Sequence, residues 1–352
     1  MLIFSNDDID SVLTMEACIA AFEQTYRDVA LGETINGRRS DMITPTSAPD
    51  AVYSLKMLGA VAPRYHIGAV RINSDILSFP KANGATRKVK IPAAPGARWV
   101  GLVMLFDTGS GVPLALFPDG VLQRMRVGAS SGLGVRYLAR EDARRAAILG
   151  SGWQAFAQAE AVAAVRTLDR LDVYSPDEGR RRAFAARMER KLGIEVHAAA
   201  SAREAVSRAD IVLCATNSLQ PVLDGDALRP GMHLGSIRSG EIAGDALGRL
   251  DRLVVHDPGN MGDDHLVVAR GISHREQGGG HGAAFAHAPS LADLVSGAAS
   301  GRRAASEITG FLNYHGLGYQ FAAAGAVLLE KALAAGRGVE LPDEWFTQDV
   351  HS

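Results

Sequence analysis

The chain has 352 residues, of which 47% are hydrophobic and 22% charged, a composition typical of a soluble globular protein with about two domains. The formal net charge of −2 gives no reason to expect nucleic acid or an anionic membrane as a partner. Cys18 and Cys214 are too few for a disulfide framework or a metal cluster, which indicates a reducing cytoplasm. The first eight residues lack the features of a secretion signal, and no apolar run approaches the roughly 20 residues of a membrane span.

The first part of the chain begins with a predicted helix. Apolar residues recur at helical spacing over residues 8–32, which predicts one helix with Asp10 or Ser11 as its cap. The residues that define this spacing are Val12, Met15, Ile19, Phe22 and Tyr26. Residues 51–58 then alternate as a strand and place Lys56 among apolar neighbours. A lysine there is either a catalytic group or one whose stem packs while its ammonium reaches water.

Two further strands complete the predicted sheet of this region. Residues 99–106 and 112–117 pair as a hairpin about a glycine-containing turn. Residues 64–98 are less regular, with a polar stretch at 71–75 and a turn at Asn83-Gly84. The region is therefore predicted to be an α+β domain.

A helix rich in small residues follows at 121–139, and such residues let another backbone or a ligand come close. Arg124 and Arg126 lie near its start. Because a planar guanidinium pairs with both oxygens of a carboxylate, either arginine suits a carboxylate clamp. An exposed surface arginine is the alternative interpretation.

The next segment carries a nucleotide-binding pattern. The buried strand at 146–149 leads directly into a turn and an Ala-rich helix, through Gly150, Ser151, Gly152, Trp153, Gln154 and Ala155. The first glycine permits a tight turn, and the second lets a pyrophosphate approach the backbone. Ala155 allows close packing of the helix, whose N-terminal N–H groups face the phosphates. The segment therefore predicts dinucleotide binding, although a Gly-rich turn of another α/β protein is the simpler interpretation.

Strands and helices alternate after this turn, which predicts a parallel, doubly wound sheet. The predicted strands are 171–174, 194–196, 211–216, 232–237 and 252–256, and the predicted helices are 155–166, 179–192, 202–208, 290–296, 302–312 and 321–335. The last helix is expected to pack back on the first domain. The fold class is thus α/β, with a Rossmann domain beside an α+β domain.

The end of the second strand bears on the choice of cofactor. NAD-binding versions of this fold place an acidic residue there for the ribose 2′-hydroxyl. Here the position holds Ser175, with Asp177 two residues on and Arg181 in a run of three arginines. These residues favour NADP over NAD. NAD, with Asp177 as the ribose ligand and the arginines on a solvated helix face, is the alternative interpretation. Thr216 and Asn217, where strand 211–216 ends, are expected to contact the cofactor as well.

Residues 259–287 are rich in glycine and histidine, with His265, His274, His281 and His287. Their spacings fit no helix face or compact ligand set, and a triple glycine lies among them. We therefore predict a flexible loop and no metal site.

Several of these segments, in this order, resemble the ornithine cyclodeaminase/mu-crystallin family, over most of the chain from about Arg39. They are the Lys56 strand, the hairpin at 107–115, the helix led by Arg126, the glycine turn at 150–155 and the segment 209–218. The resemblance implies a homodimer. Residues 1–139 with 316–352 would form the substrate-binding and dimerisation domain, and residues 140–315 the NAD(P)-binding domain.

The resemblance also assigns roles to single residues. Lys56 would act on protons of the substrate nitrogen or of a water, while Arg39 and Arg126 would hold an α-carboxylate. The sequence departs from the family where cyclodeaminases carry an acidic residue after the fifth strand. No aspartate stands there, so Glu241 is the candidate acid. An insertion from about residue 64 to 90 carries Arg71, a further candidate for substrate binding.

The function favoured by the sequence is an imine reductase or amino-acid dehydrogenase that acts at the α-carbon of a small amino or imino acid. Ornithine cyclodeamination is one alternative, against which the absent aspartate argues. A protein that binds NADP(H) without catalysis is the other.

Overall fold

The computed structural model describes residues 1–48, 50–82, 85–86, 88–260, 285 and 287–348. The chain divides into two compact units. Unit 1 comprises Met1–Phe79, Val89–Arg126 and Gly316–Ser352, and unit 2 comprises Pro80–Lys88 and Val127–His315. The division falls inside helix α3 (Gly120–Leu138). No helix of the described residues is long and apolar enough to cross a membrane.

Unit 1 is built on a sheet in which nine of the described strands pair. The order is β18-β1-β10-β9-β5-β4-β2, with β3 also on β4 and β8 also on β5. The strands are β1 (Leu2–Ile3), β2 (Ile35–Asn36), β3 (Ser40–Pro45), β4 (Ala51–Ala62), β5 (Ile67–Ser78), β8 (Val89–Ile91), β9 (Val100–Asp107), β10 (Pro113–Pro118) and β18 (Val339–Glu340). Two short strands, β6 (Lys81–Ala82) and β7 (Ala85–Thr86), pair with each other in a separate two-stranded sheet.

The central hairpin joins β4 and β5, which pair in register from Ala51 opposite Ser78 to Ala62 opposite Ile67. Its turn places His66 in the left-handed region, with φ 54°. The prediction of an irregular insertion from residue 64 is therefore wrong for residues 67–78, which form a core strand of the sheet. Their polar residues hid the strand, because those side chains line one face where apolar residues would ordinarily alternate.

Among the described residues, three helices lie wholly in unit 1: α1 (Asn6–Val12), α2 (Met15–Ala30) and, after unit 2, α9 (Gly318–Ala334). The single helix predicted over residues 8–32 is wrong, because Leu13 is extended between α1 and α2. Ser5 caps α1 in a reciprocal pair with Asp8, and the Thr14 hydroxyl accepts the backbone N–H of Ala17 at the start of α2. The predicted caps, Asp10 and Ser11, lie inside α1. The C-terminal helix packs on α2, β4 and β5, as expected.

Unit 2 is the predicted doubly wound domain. Its parallel sheet has the order β13-β12-β11-β14-β15-β17-β16. The strands are β11 (Arg145–Leu149), β12 (Arg170–Tyr174), β13 (Glu195–Ala198), β14 (Ile211–Cys214), β15 (His233–Ser236), β16 (Arg252–Val255) and β17 (Thr309–Leu312). The helices after α3 are α4 (Trp153–Val165), α5 (Glu178–Leu192), α6 (Ala202–Val206), α7 (Gly244–Leu247) and α8 (Leu291–Ser296). The α/β class with a Rossmann sheet is confirmed.

One element of unit 2 differs from its prediction. Residues 302–312 were predicted as a helix, but Thr309–Leu312 form β17, which lies between β15 and β16. All four of its residues are buried. A short apolar run of this kind carries no periodicity that separates a buried strand from a buried helix.

Candidate active site

A row of polar side chains crosses one face of the unit 1 sheet, centred on Lys56. The pairing register places Lys56 opposite Asp41 on β3 and opposite Asn73 on β5. Because directly opposed residues point to the same side of a sheet, these three side chains share a face. Arg71 and Asp75 flank Asn73 at alternate positions on β5 and lie on that face too. The fold thus assembles a charged surface inside a sheet.

Asp119, which follows β10, fixes two members of this row. The Arg71 Nε donates to Asp119 Oδ2 at 2.7 Å, and the Asn73 Nδ2 donates to the same oxygen at 3.0 Å. Gly101 on β9 leaves room for this arrangement, since a Cβ there would lie 2.2 Å from Asp119 Oδ1. Arg71 is therefore held rigidly, with its charge balanced by a carboxylate on the same face.

Lys56 has two charged neighbours at the other end of the row. Its Nζ lies 3.7 Å from Asp75 Oδ2, and the Nζ of Lys90, on β8, lies 2.9 Å from Asp75 Oδ1. The Lys56 side chain is largely enclosed, while that of Lys90 is 45% exposed. The predicted catalytic lysine thus sits beside a buried carboxylate.

Arg126 enters unit 1 from the start of α3 and is buried. Its Nη1 donates to Gln320 Oε1 at 3.2 Å and its Nε donates to Gln123 Oε1 at 3.1 Å, so both acceptors are neutral amides. The Phe321 ring lies against this guanidinium and against that of Arg71, with 5.5 Å and 5.0 Å to the ring centroid. Burial, with the charge of Arg71 added, lowers the pKa of Arg126 to about 9. An anion beside Arg126 would relieve that cost.

Arg39 precedes β3 and is held against Asp41, with 2.9 Å between its Nε and Asp41 Oδ2. Its charge contributes to lowering the pKa of Arg126, as that of Arg71 does. The three predicted substrate-binding arginines therefore act on one region of unit 1. A guanidinium cluster beside a lysine is suited to holding a carboxylate near a proton donor.

The glycine turn of unit 2 has the geometry that dinucleotide binding requires. Gly150 has φ +121°, and a Cβ on it would lie 2.2 Å from the carbonyl oxygen of Ala215. Gly152 is the N-cap of α4, brings no side-chain hydrogen bond to the first turn, and would place a Cβ in open space. Trp153 is half exposed and Ala155 is fully buried against the sheet. At Gly150 the turn thus packs closely against the neighbouring strand, and at Gly152 it leaves the N-terminus of α4 open. This open N-terminus fits a pyrophosphate.

Ser175, at the end of β12, is joined to this turn. The hydroxyls of Ser151 and Ser175 share a hydrogen bond of 2.8 Å. Arg181 on α5 donates from Nη1 to the Ser175 carbonyl at 3.1 Å, and its guanidinium lies 5.8 Å from the centre of the Tyr174 ring. A cation and two hydroxyls therefore stand where a ribose 2′-substituent binds in this fold.

Glu241 has a position that sequence analysis did not foresee. It is wholly buried, and its Oε1 accepts from the Thr216 backbone N–H at 2.6 Å and from the Thr216 hydroxyl at 2.8 Å. Its Oε2 accepts from the Ser236 hydroxyl at 2.8 Å. Burial raises the pKa of Glu241, and these hydrogen bonds oppose the shift. These contacts link the residues at the ends of β14 and β15, and the catalytic role of Glu241 stays a prediction.

The remaining predicted residues differ in exposure. Gln154 is partly buried, and its Oε1 accepts no hydrogen bond from the described residues. Asn217 is exposed at the end of β14. His265, His274 and His281 of the predicted loop lie outside the described residues. Within the described part of the chain, no group of three His, Cys, Asp or Glu residues could hold a metal ion.

Sequence reasoning missed Asp119 and Gln320, which position Arg71 and Arg126. The sequence did contain a signal for Asp119. This residue stands in the run Pro118-Asp119-Gly120 between a predicted strand and a predicted helix, a position from which a side chain can reach the end of the sheet. Gln320 carried little signal, since it is separated from Arg126 by 194 residues and the pairing depends on the fold.

Comparison with known proteins identifies the family of this chain. The family model for the ornithine cyclodeaminase/mu-crystallin family matches residues 91–335. The chain belongs to this family. A family member from Bacillus thuringiensis subsp. konkukian, named Delta(1)-pyrroline-2-carboxylate reductase, is 32% identical over 347 residues, covering 96% of this chain and 98% of its own. A protein of the same name from Bacillus cereus is 34% identical over 247 residues, 68% of this chain and 73% of the relative.

A solved structure of the family has the same fold. It is a Thermococcus litoralis Delta(1)-pyrroline-2-carboxylate reductase in complex with NADH and L-proline. The TM-score is 0.77 at 28% sequence identity, with 97% of this chain and 100% of the other covered.

Proposed function

We propose that this member of the family is a nicotinamide-dependent reductase that converts the C=N bond of a small α-imino acid into an amine. A cyclic imine of the Δ1-pyrroline-2-carboxylate class is the favoured substrate. The observation that carries the proposal is the face of unit 1 on which Lys56 stands beside the three arginines. The names of the relatives that match most of the chain support the same reaction.

In this reaction the arginines bind the substrate carboxylate and Lys56 transfers a proton to the substrate nitrogen. Arg126 and Arg71 hold the α-carboxylate, whose charge offsets their desolvation and mutual repulsion. Lys56, as an ammonium, donates a proton to the nitrogen as the C=N electron pair moves onto it. When bound, a reduced nicotinamide supplies the hydride that the imine carbon receives. One imine, one hydride and one proton thus give one amino acid. The arginines contribute by holding the imino acid in a fixed orientation.

The test is a turnover assay on the purified full-length chain. We expect Δ1-pyrroline-2-carboxylate to be reduced to proline with loss of reduced cofactor in equal amount. Ammonia and proline formed from ornithine with no net change in the cofactor would contradict the reductase proposal and indicate cyclodeamination. Tight nicotinamide binding with no turnover of cyclic or open imino acids would instead indicate a binding protein.

We further propose that the cofactor is NADP(H), with Arg181 and Ser175 binding its 2′-phosphate. Arg181→Gln removes a charge-assisted contact of about 1.5–3 kcal/mol, so the KM for NADPH should rise roughly tenfold to a hundredfold while the KM for NADH is unchanged. Steady-state kinetics with both cofactors measure this. Arg180→Gln is the control, because Arg180 is 81% exposed and faces Asp177. An equal change for both cofactors after Arg181→Gln would refute the assignment.

We also propose a homodimer formed through the sheet face opposite Lys56. Ile72 and Leu102 stand directly opposite each other there, and Val100, Met42 and Ile91 extend the same apolar surface; all five are 37–45% exposed. Leu102→Asp should shift the mass measured by light scattering to that of a monomer, whereas Leu31→Asp, 72% exposed at the end of α2, should not. A wild-type protein that is monomeric at micromolar concentration would contradict this proposal.

The two buried, unbridged cysteines suit a reducing compartment, and we propose a cytoplasmic enzyme. Units 1 and 2 are proposed as its substrate-binding and cofactor-binding domains.

A further inference from the structure

We propose that Asp75 and Lys90 together set the protonation state of Lys56, Asp75 by stabilising its ammonium and Lys90 by taking a share of the Asp75 charge. This inference deepens the proposed function and rests on it, since Lys56 is the proton donor only in that reaction. Asp75 and Lys90 are thus positioning residues that act through Lys56.

The sheet register brings the three side chains together. Asn73 is opposite Lys56, and Asp75 is two residues further along β5, so its side chain is a diagonal neighbour of Lys56 on the same face. Lys90 is opposite Leu77 on β5, an odd-numbered position that shares this face with Asp75. Strand β8 therefore delivers a second ammonium to the carboxylate that Lys56 contacts.

The carboxylate of Asp75 is the centre of this arrangement. Its side chain is 1% exposed, and neither of its oxygens accepts a hydrogen bond of ordinary geometry from the described residues. A buried carboxylate in this setting depends on nearby positive charge. Lys90 supplies it at 2.9 Å and Lys56 at 3.7 Å, so one negative charge serves two ammonium groups and the closer one is the more exposed.

Other charged residues lie on this face of the sheet or beside it, and their charges are arranged differently. They come from β3 and the residue before it, from β5, from the residue after β10 and from α3: Asp41, Arg39, Arg71, Asp119 and Arg126. Arg39 with Asp41, and Arg71 with Asp119, are matched pairs of opposite charge. The helices that pack on this sheet add neutral groups near Arg126, namely Gln320 of α9 and Tyr26 of α2. The group formed by Lys56, Lys90 and Asp75 is instead one in which two positive charges share one negative charge.

Removal of the Asp75 charge and removal of the Lys90 charge should shift the pKa of Lys56 in opposite directions. An opposite charge within about 4–6 Å shifts a pKa by roughly 1–3 units. Asp75→Asn should therefore lower the pKa of Lys56 by about one unit, and the alkaline limb of the kcat/KM profile for imine reduction should move to lower pH. Lys90→Gln should raise the pKa of Lys56 and move that limb to higher pH. In the double variant the effect of Lys90→Gln should be smaller, because the Asp75 carboxylate is no longer there to move from Lys90 toward Lys56 and only the direct repulsion between the two ammonium groups is removed.

A direct readout separates this inference from the proposed function. The chain has six lysines, at positions 56, 81, 88, 90, 191 and 331. Protein labelled with ¹³C at the lysine ε-carbon gives one signal for each, and its titration by NMR reports the pKa of Lys56 without substrate. The matched control is Lys191→Gln, since Lys191 is 49% exposed and lies 2.9 Å from the buried Glu160 in unit 2.

The proposal is supported if the Lys56 signal titrates lower in Asp75→Asn, higher in Lys90→Gln and unchanged in Lys191→Gln. It is overturned if the Lys56 titration is the same in all of these folded variants, or if Lys90→Gln has its full effect in the absence of Asp75. Shifted titration with no imine reduction by the wild type would refute the proposed reaction and leave the charge coupling standing.

Discussion

Lys56→Met is expected to lower kcat/KM for imine reduction by at least about a hundredfold, the usual contribution of a positioned acid or base. Methionine keeps an unbranched apolar stem and lacks only the terminal ammonium position, so the packing between β3 and β5 is preserved while the proton donor is lost. Steady-state kinetics with the imino acid at several pH values measure the loss. The alkaline limb attributed to Lys56 should also be absent from the profile of the variant.

Two controls make this result specific. Lys191→Met removes a lysine of unit 2 and should leave kcat/KM unchanged. The affinity of Lys56→Met for the reduced cofactor should equal that of the wild type, because the glycine turn lies in unit 2. Near-normal turnover by Lys56→Met would refute the assignment of Lys56 as the proton donor.

Gly150→Ala should destabilise unit 2 by about 3 kcal/mol or more. The added Cβ would lie 2.2 Å from the Ala215 carbonyl oxygen, and φ +121° is a conformation that alanine rarely adopts. The backbone at the ends of β11 and β14 would have to move apart. Calorimetry should show the melting transition of unit 2 lowered by roughly 6–12 °C.

Gly152→Ala is the matched partner of that substitution, two residues away in the same turn. Its φ of −87° suits any residue, and a Cβ meets no atom within 4 Å, so stability should stay within about 0.5 kcal/mol of the wild type. The same Cβ would occupy the space into which the pyrophosphate fits, and cofactor affinity should fall at least about tenfold. If Gly152→Ala bound the nicotinamide as well as the wild type, the turn would not be the phosphate site.

The parts of the fold that were predictable carry local signals. The turn from Gly150 to Ala155 shows its strand, its glycines and its helix within a few residues, and the alternation that follows defines a parallel sheet. Strand β5 gave no such signal, because Arg71, Asn73 and Asp75 occupy the face that would ordinarily be apolar. The same polar residues that hid the strand are those that form the site. Strand β17 was missed for a different reason, since four buried residues are too few to show a period.

The candidate site likewise contains residues that the sequence predicted and residues that it did not. Lys56, Arg39, Arg71 and Arg126 were predicted from residue type and resemblance, and strand register places Lys56 and Arg71 on one face of the sheet. Their partners were not recognised, because Asp119 and Gln320 meet them only through long-range packing. Glu241 shows the converse: the sequence places an acid after the fifth strand, but only the structure reveals that its two oxygens are engaged by Thr216 and Ser236.

The split of unit 1 along the chain has a consequence for biosynthesis. All strands of its sheet except β18 are encoded before segment 127–315 of unit 2, whereas Gln320 and Phe321, which contact Arg126, belong to α9 near the end of the chain. During translation, unit 2 can be completed from the nearly contiguous segment 127–315 while the arginines of unit 1 still lack this helix. The proposed carboxylate-binding surface is therefore the last part of the molecule to be completed, because a nascent chain that ends before residue 318 has all of segment 127–315 but lacks the helix that contacts Arg126.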